Sequence, residues 1–245
     1  MQFMFNKLFV VRMLPISLLA LSACGNGGVT ATATTAAQTL PPNLADRPQV
    51  ISGWLDEYSD AIESNVSENY PALLAIDSAR MGTVCPNWDT LSGNDRQAFW
   101  SSLIWSISDP ESSRTRTAIY RETTLPIDSV TGQQIRSEGL LQVSYVDVVN
   151  YAYPGNDISW AFDKAMALKD YANGVGLGNP NRTILNAYAN LNLGLWIMNK
   201  ELNALNPSQS LENALGHYWS SMRSTGSTFS KVLANLKTAL PVCFK

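Results

Sequence analysis

The stretch from Phe99 to Tyr151 holds the side chains best suited to chemistry. Phe99, Leu103, Ile104 and Ile107 recur at i, i+4, i+5 and i+8, the apolar stripe of a helix, and that stripe runs into Glu111-Ser112. A carboxyl at the end of an apolar helix is one that desolvation can keep protonated near neutrality, ready to hand a proton to a leaving oxygen. A second carboxyl, Glu122, follows in Tyr120-Arg121-Glu122, and Ser137-Glu138-Gly139-Leu140-Leu141-Gln142-Val143-Ser144 opens the next helical pattern. The rest of the chain narrows the choice. With one histidine and three cysteines, neither a histidine-based triad nor a Cys/His metal site can assemble, so no metal and no cofactor is expected. Catalysis must rest on carboxylates, hydroxyls or amides, and His217 reads as a surface or capping residue.

These side chains must be positioned by helices. Ile51, Trp54, Leu55, Tyr58, Ile62, Leu73 and Leu74 predict one or two helices between Gln49 and Ala79. Ser92 to Asp95 offers a cap for the Phe99 to Ile107 helix, which should stop near Asp109-Pro110, because proline lacks a backbone donor and disfavours a helical residue before it. Residues 111 to 138 are polar and read mainly as loop, with a short strand or hairpin. Helical patterns return over Val143 to Tyr151, Trp160 to Tyr171, Ile184 to Leu202 and Leu211 to Leu240, with no strand-helix alternation and no fixed repeat. The fold class is mainly α.

The first residues read as an address. Lys7 and Arg12 precede a short apolar run from Met13 to Leu21, and Leu21-Ser22-Ala23-Cys24 looks like a bacterial lipobox. Residues 1–23 are then a lipoprotein signal peptide, Cys24 the acylated first residue of the mature chain, and 24–48, rich in Gly, Thr, Ala and Pro, a flexible linker. An ordinary cleaved signal with a chance cysteine is the other reading. Residues 49–80 form an N-terminal helical segment and 81–245 the main domain. With Cys24 acylated, Cys85 and Cys243 remain for one disulfide in an oxidising periplasm, the alternative being two buried free thiols.

Composition sets the outer limits. Of 245 residues 45% are hydrophobic and 15% charged, too apolar for a disordered chain. Seventeen Lys and Arg against 20 Asp and Glu give no basic excess, so a nucleic-acid partner is not expected.

Four short motifs in order carry a resemblance over roughly residues 80 to 225. Glu111-Ser112 ends a helix, Gly139-Leu140-Leu141-Gln142-Val143 follows, Asn190-Leu191 stands three residues before Gly194, and Tyr218-Trp219-Ser220 precedes Arg223. Together they resemble the lysozyme-like lytic murein transglycosylases, in which such segments meet across a glycan cleft. The resemblance implies a lysozyme-like helical domain with a small loop or hairpin insertion near its active site. It implies cleavage of the MurNAc-GlcNAc β-1,4 bond of peptidoglycan to 1,6-anhydro-muramyl products, with Glu111 as acid and base. Gln142, Ser144, Tyr145, Asn190 and Tyr218 would hold the glycan, and Glu122 would be a subsite carboxylate. Glu122 also competes for the acid role, standing 17 positions before Gly139 where Glu111 stands 28. A muramidase that hydrolyses the same bond, and a catalytically silent peptidoglycan-binding lipoprotein, are the alternatives. Expected partners are glycan strands, a membrane reached through the N-terminal lipid, and proteins of the cell-wall machinery. Gly25 after Cys24 favours the periplasmic face of the outer membrane.

Overall fold

The computed structural model describes residue 44, residues 46–171 and residues 178–245, and leaves undescribed the side chains of 168–171. The leader, Cys24 and nearly all of the 24–48 linker lie outside the described residues. Among those described, no helix is long and apolar enough to cross a membrane.

Nine α-helices and one two-stranded sheet are described, so the chain is mainly helical: α1 Asp56–Asn69, α2 Pro71–Leu74, α3 Ser78–Met81, α4 Gly93–Ser112, β1 Ile119–Arg121, β2 Arg136–Glu138, α5 Tyr145–Asn150, α6 Trp160–Tyr171, α7 Ala187–Lys200, α8 Leu211–Leu215 and α9 Ser227–Ala239. The central element is α4. Its start follows from sequence chemistry: the Ser92 hydroxyl accepts from the Asp95 N–H while the Asp95 carboxylate accepts from the Ser92 N–H, a reciprocal cap that satisfies two otherwise unpaired donors. Phe99, Leu103, Ile104 and Ile107 are fully buried along its length. Helix α1 packs on one side of α4 through Tyr58, Ile62 and Val66, spaced four residues apart and also fully buried, and α9 packs on α4 as well. The 49–80 segment thus shares one apolar core with the rest of the chain.

Two boundaries differ from the sequence reading. Helix α4 does not stop at Asp109-Pro110 but carries Pro110 inside it and ends at Ser112, with Ser113 in the left-handed conformation. A proline inside a helix costs about 3 kcal/mol, and tertiary bonds to this last turn oppose that cost. Lys231 Nζ and Asn235 Nδ2 on α9 reach Asp109 Oδ2 at 2.8 and 3.0 Å. The Ser112 hydroxyl lies 2.9 Å from both the Ser108 and the Leu140 carbonyl oxygens. The second difference is the expected Leu211 to Leu240 helix, which is broken into α8, a 3-10 turn over Ser220–Met222, and α9. Gly216 and Gly226 flank the gap, and glycine and serine are poor helix formers.

The polar stretch after α4 does fold as a hairpin. Strands β1 and β2 pair antiparallel with Tyr120 opposite Ser137 and Ile119 opposite Glu138. Ser137 and Glu138 are therefore strand residues and not the opening of the next helix. Cys85 and Cys243 are joined in a disulfide with Cα atoms 4.7 Å apart.

Candidate active site

The end of α4, the β1–β2 hairpin and the segment around Trp219 enclose a cleft of about 160 Å³ lined by Glu111, Tyr120, Glu122, Ser137, Gln142, Tyr218, Trp219 and Ser220. Glu111 reaches it because α4 continues through Pro110 for one more turn. Its Oε1 accepts from the Ser221 hydroxyl at 2.5 Å, and Ser221 is itself buried. The adjacent Ser112 ties the helix end to the Leu140 carbonyl, so the Glu-Ser pair serves two purposes, one side chain in the cleft and the other fixing the facing loop.

That loop is a tight four-residue connection. Glu138 and Val143 exchange backbone hydrogen bonds at 2.8 and 3.1 Å around Gly139 to Gln142. Gly139 has φ +80° and Gln142 φ +52°, the left-handed region that costs a non-glycine residue on the order of 1 kcal/mol. Asn190 on α7 holds the loop from behind. Its Nδ2 donates to the Glu138 and Ile184 carbonyls at 2.9 Å, and its Oδ1 accepts from the Leu141 N–H at 2.9 Å. A Cβ at Gly139 would lie 2.1 Å from that Nδ2, so glycine is required by both conformation and space. Trp219 Nε1 donates to the Leu141 carbonyl at 2.9 Å and completes the support.

The hairpin supplies the opposite wall. Tyr120 and Ser137 are cross-strand neighbours, and the Ser137 hydroxyl donates to Glu122 Oε1 at 2.7 Å. Tyr120 is 60% exposed, a flat apolar face at the mouth of the cleft. Tyr218, nearly buried, donates to Asp147 Oδ2 at 2.5 Å, and burial together with Asp147 raises the Tyr218 phenol well above its ordinary value.

Of the residues singled out from sequence, Glu111, Glu122, Gln142 and Tyr218 thus line one cleft. Three others are placed elsewhere. Ser144 spends its hydroxyl on Asp147 Oδ2, 2.6 Å away, in the reciprocal cap of α5. Tyr145 is buried against Trp160 and donates to Asp163 Oδ2 at 2.6 Å. Asn190 is fully buried and bonded to backbone only, so it positions the loop from behind it. Gln142 is more constrained than its sequence suggested, because its Nε2 donates to the Gly139 carbonyl at 2.8 Å and lies 3.3 Å from that of Ala118. Sequence reasoning missed Ser221 as the partner of Glu111. It also left Tyr120 as a mere neighbour of Glu122, although both line the cleft.

Beneath the loop lies a buried charge cluster. Glu138 Oε2 is 2.6 Å from Arg182 Nη2, both side chains being excluded from solvent, and Arg182 also donates to the Tyr145 hydroxyl at 3.1 Å. Burial pushes the Glu138 carboxyl up to about 7, against the downward pull of Arg182. For Arg182 burial acts downward, and Glu138 and Tyr145 more than reverse it, holding the guanidinium above its ordinary value.

No protein-family model matches this sequence, and no curated protein does. Solved structures of one protein, Bd0314 DslA of Bdellovibrio, share its architecture. Wild-type form 2 is 20% identical with a TM-score of 0.54, over 77% of this chain and 91% of that one. Two variants, each with one glutamate replaced by glutamine, superpose at a TM-score of 0.56 and 18% and 20% identity, over 80% of this chain and all of the other. At this identity the likeness shows a common fold. It does not extend to the reaction.

Proposed function

We propose that this protein is a lysozyme-like lytic transglycosylase that cleaves the β-1,4 bond between MurNAc and GlcNAc in peptidoglycan. The observation that carries the reading is that Glu111, at the end of an apolar helix, opens into the same cleft as Gln142, Tyr120 and Tyr218. The Glu111 carboxyl gives its proton to the GlcNAc O4 as the bond from MurNAc C1 breaks, and the sugar's N-acetyl oxygen stabilises the cationic C1. The Glu111 carboxylate then takes the proton of the MurNAc C6 hydroxyl while O6 bonds to C1. The product is a 1,6-anhydro sugar, the acid is regenerated, and no water is consumed. Ser221 keeps the carboxylate aimed during both transfers, and Tyr120 offers a face for a sugar ring.

A second reading, hydrolysis on the same site, is favoured by one observation. Glu122 lines the cleft with Glu111, which supplies the second carboxylate that a hydrolase uses to activate water or attack C1. The two glutamates substituted in the Bd0314 DslA variants are eleven positions apart, the separation of Glu111 and Glu122 here.

Mass spectrometry of products released from purified sacculi tests both. Anhydro products from wild type and Glu122→Gln, with none from Glu111→Gln, are expected for transglycosylation. Reducing-end products that vanish in both variants indicate hydrolysis. No release by wild type would leave a silent glycan-binding protein. Under this reading the Cys24 lipid holds the enzyme at the outer membrane, facing its polymer.

A further inference from the structure

A second and larger hollow, of about 1020 Å³, opens between α1, the loop 153–157 and α7. Its volume is in the upper range of small-molecule sites. One part of its wall is aromatic: Trp196 stands between Tyr153 and Tyr70, ring centroids 6.3 and 6.4 Å away, all three half-buried. The Lys200 ammonium covers one face of Trp196 at 4.5 Å, and the tyrosine rings, tilted 56° and 62° to it, extend the apolar wall beside it.

The other part is a rail of amides ending in a carboxylate. Asn69 Nδ2 donates to Asn65 Oδ1 at 2.8 Å, Asn65 Nδ2 to Asn192 Oδ1 at 2.9 Å, and Asn192 Nδ2 to Asp157 Oδ2 at 3.0 Å. Tyr153 Oη also donates to that oxygen, at 3.1 Å. Asp157 is only 6% exposed, yet its Oδ1 receives no hydrogen bond from another described residue. A buried carboxylate oxygen that no donor but its own residue's backbone N–H reaches is under-satisfied, and a ligand hydroxyl is the partner that this geometry lacks.

We propose that this groove is a second saccharide-binding site, taking a segment of neutral glycan apart from the one in the cleft. The second N–H groups and remaining lone pairs of these amides match ring hydroxyls, and the aromatic wall matches the C–H faces of sugar rings. Glu57, Asp60 and Glu68 on α1 add negative charge against Arg47, which disfavours sugar rings that themselves carry carboxylates or phosphates. The groove also adjoins the catalytic wall. Trp196 Nε1 donates to the Tyr151 carbonyl at 2.8 Å, and the Tyr151 ring packs 5.8 Å from that of Tyr218, which lines the cleft. Given the cleavage reading above, a strand held in the groove keeps the polymer at a high effective concentration beside Glu111.

The test is calorimetric titration of the full chain carrying Glu111→Gln, so that nothing is turned over, with a β-1,4-linked N-acetylglucosamine tetramer. Two binding events are expected. Adding Asn65→Ala or Asp157→Asn should weaken one of them at least tenfold, and adding Tyr120→Ala should weaken only the other. A glucuronic-acid oligomer should give no heat at the groove. No event, or binding that Asn65→Ala leaves unchanged, would overturn the proposal, whereas a single event that Asn65→Ala weakens would keep the groove and count against the cleft. Asn65 is half-buried, so its variant decides the matter even where Asp157→Asn does not fold. Wild-type protein that releases nothing from sacculi would refute the cleavage reading without altering this binding result.

Discussion

The Ser221 hydroxyl meets Glu111 Oε1 at 2.5 Å, joining the last turn of α4 to a 3-10 turn 110 residues later. This contact, not the helix alone, fixes where the carboxyl points. Ser221→Ala should therefore lower kcat for muropeptide release by roughly tenfold with little change in KM, in the range of one lost hydrogen bond to a charged group. Single-turnover kinetics on sacculi, with circular dichroism to confirm the fold, checks it, and an unchanged kcat would remove Ser221 from the site.

Gly139→Ala should destabilise the loop that faces Glu111. The added Cβ would lie 2.1 Å from Asn190 Nδ2, at a residue whose φ is +80°. Strain of this kind costs on the order of 1 to 3 kcal/mol, to which the collision adds. A melting temperature within a degree of wild type would contradict the close approach.

Glu138 gives a pH dependence with a definite sign. The carboxyl is ordinarily at 4.5, and burial pushes it up to about 7, opposed by Arg182 and Arg136 and aided by Asp163. Between those values the folded chain binds more protons than the unfolded one. The stability this group contributes is full below about 4.5 and is lost as pH rises through about 7. Melting curves of wild type should fall across that window relative to Glu138→Gln. The variant, whose side chain is uncharged at every pH, should show no such fall. Parallel curves would show that Glu138 does not titrate there.

Replacing both Cys85 and Cys243 by serine removes a crosslink between residues 158 apart. The chain-entropy account gives on the order of 5 kcal/mol for a loop of that length, and measured losses run about 2 to 5. Denaturant unfolding of the double variant should show a loss in that range, and equal stability would mean that the bond restrains little.

Much of the scaffold was legible from sequence because helices write a local signal. The Phe99 to Ile107 stripe, the Ser92–Asp95 cap and the Trp160 to Tyr171 pattern each depend on residues within one or two turns, and each appears where its spacing places it. The paired carboxyls and Gln142 could be nominated for the same reason, from short motifs.

Tertiary structure decided what local spacing could not express. Pro110 signalled an end to α4, yet bonds from Lys231, Asn235 and the Leu140 carbonyl accompany the helix through it, and that extra turn is what carries Glu111 into the cleft. Ser144, Tyr145 and Asn190 are of the right types to touch a sugar, but partners distant in sequence or needed by a cap have claimed them first. A residue's type sets which bonds it can make, and its sequence neighbours set its local geometry. Only the folded chain determines which of those bonds are already made internally and which side chains remain to face a ligand.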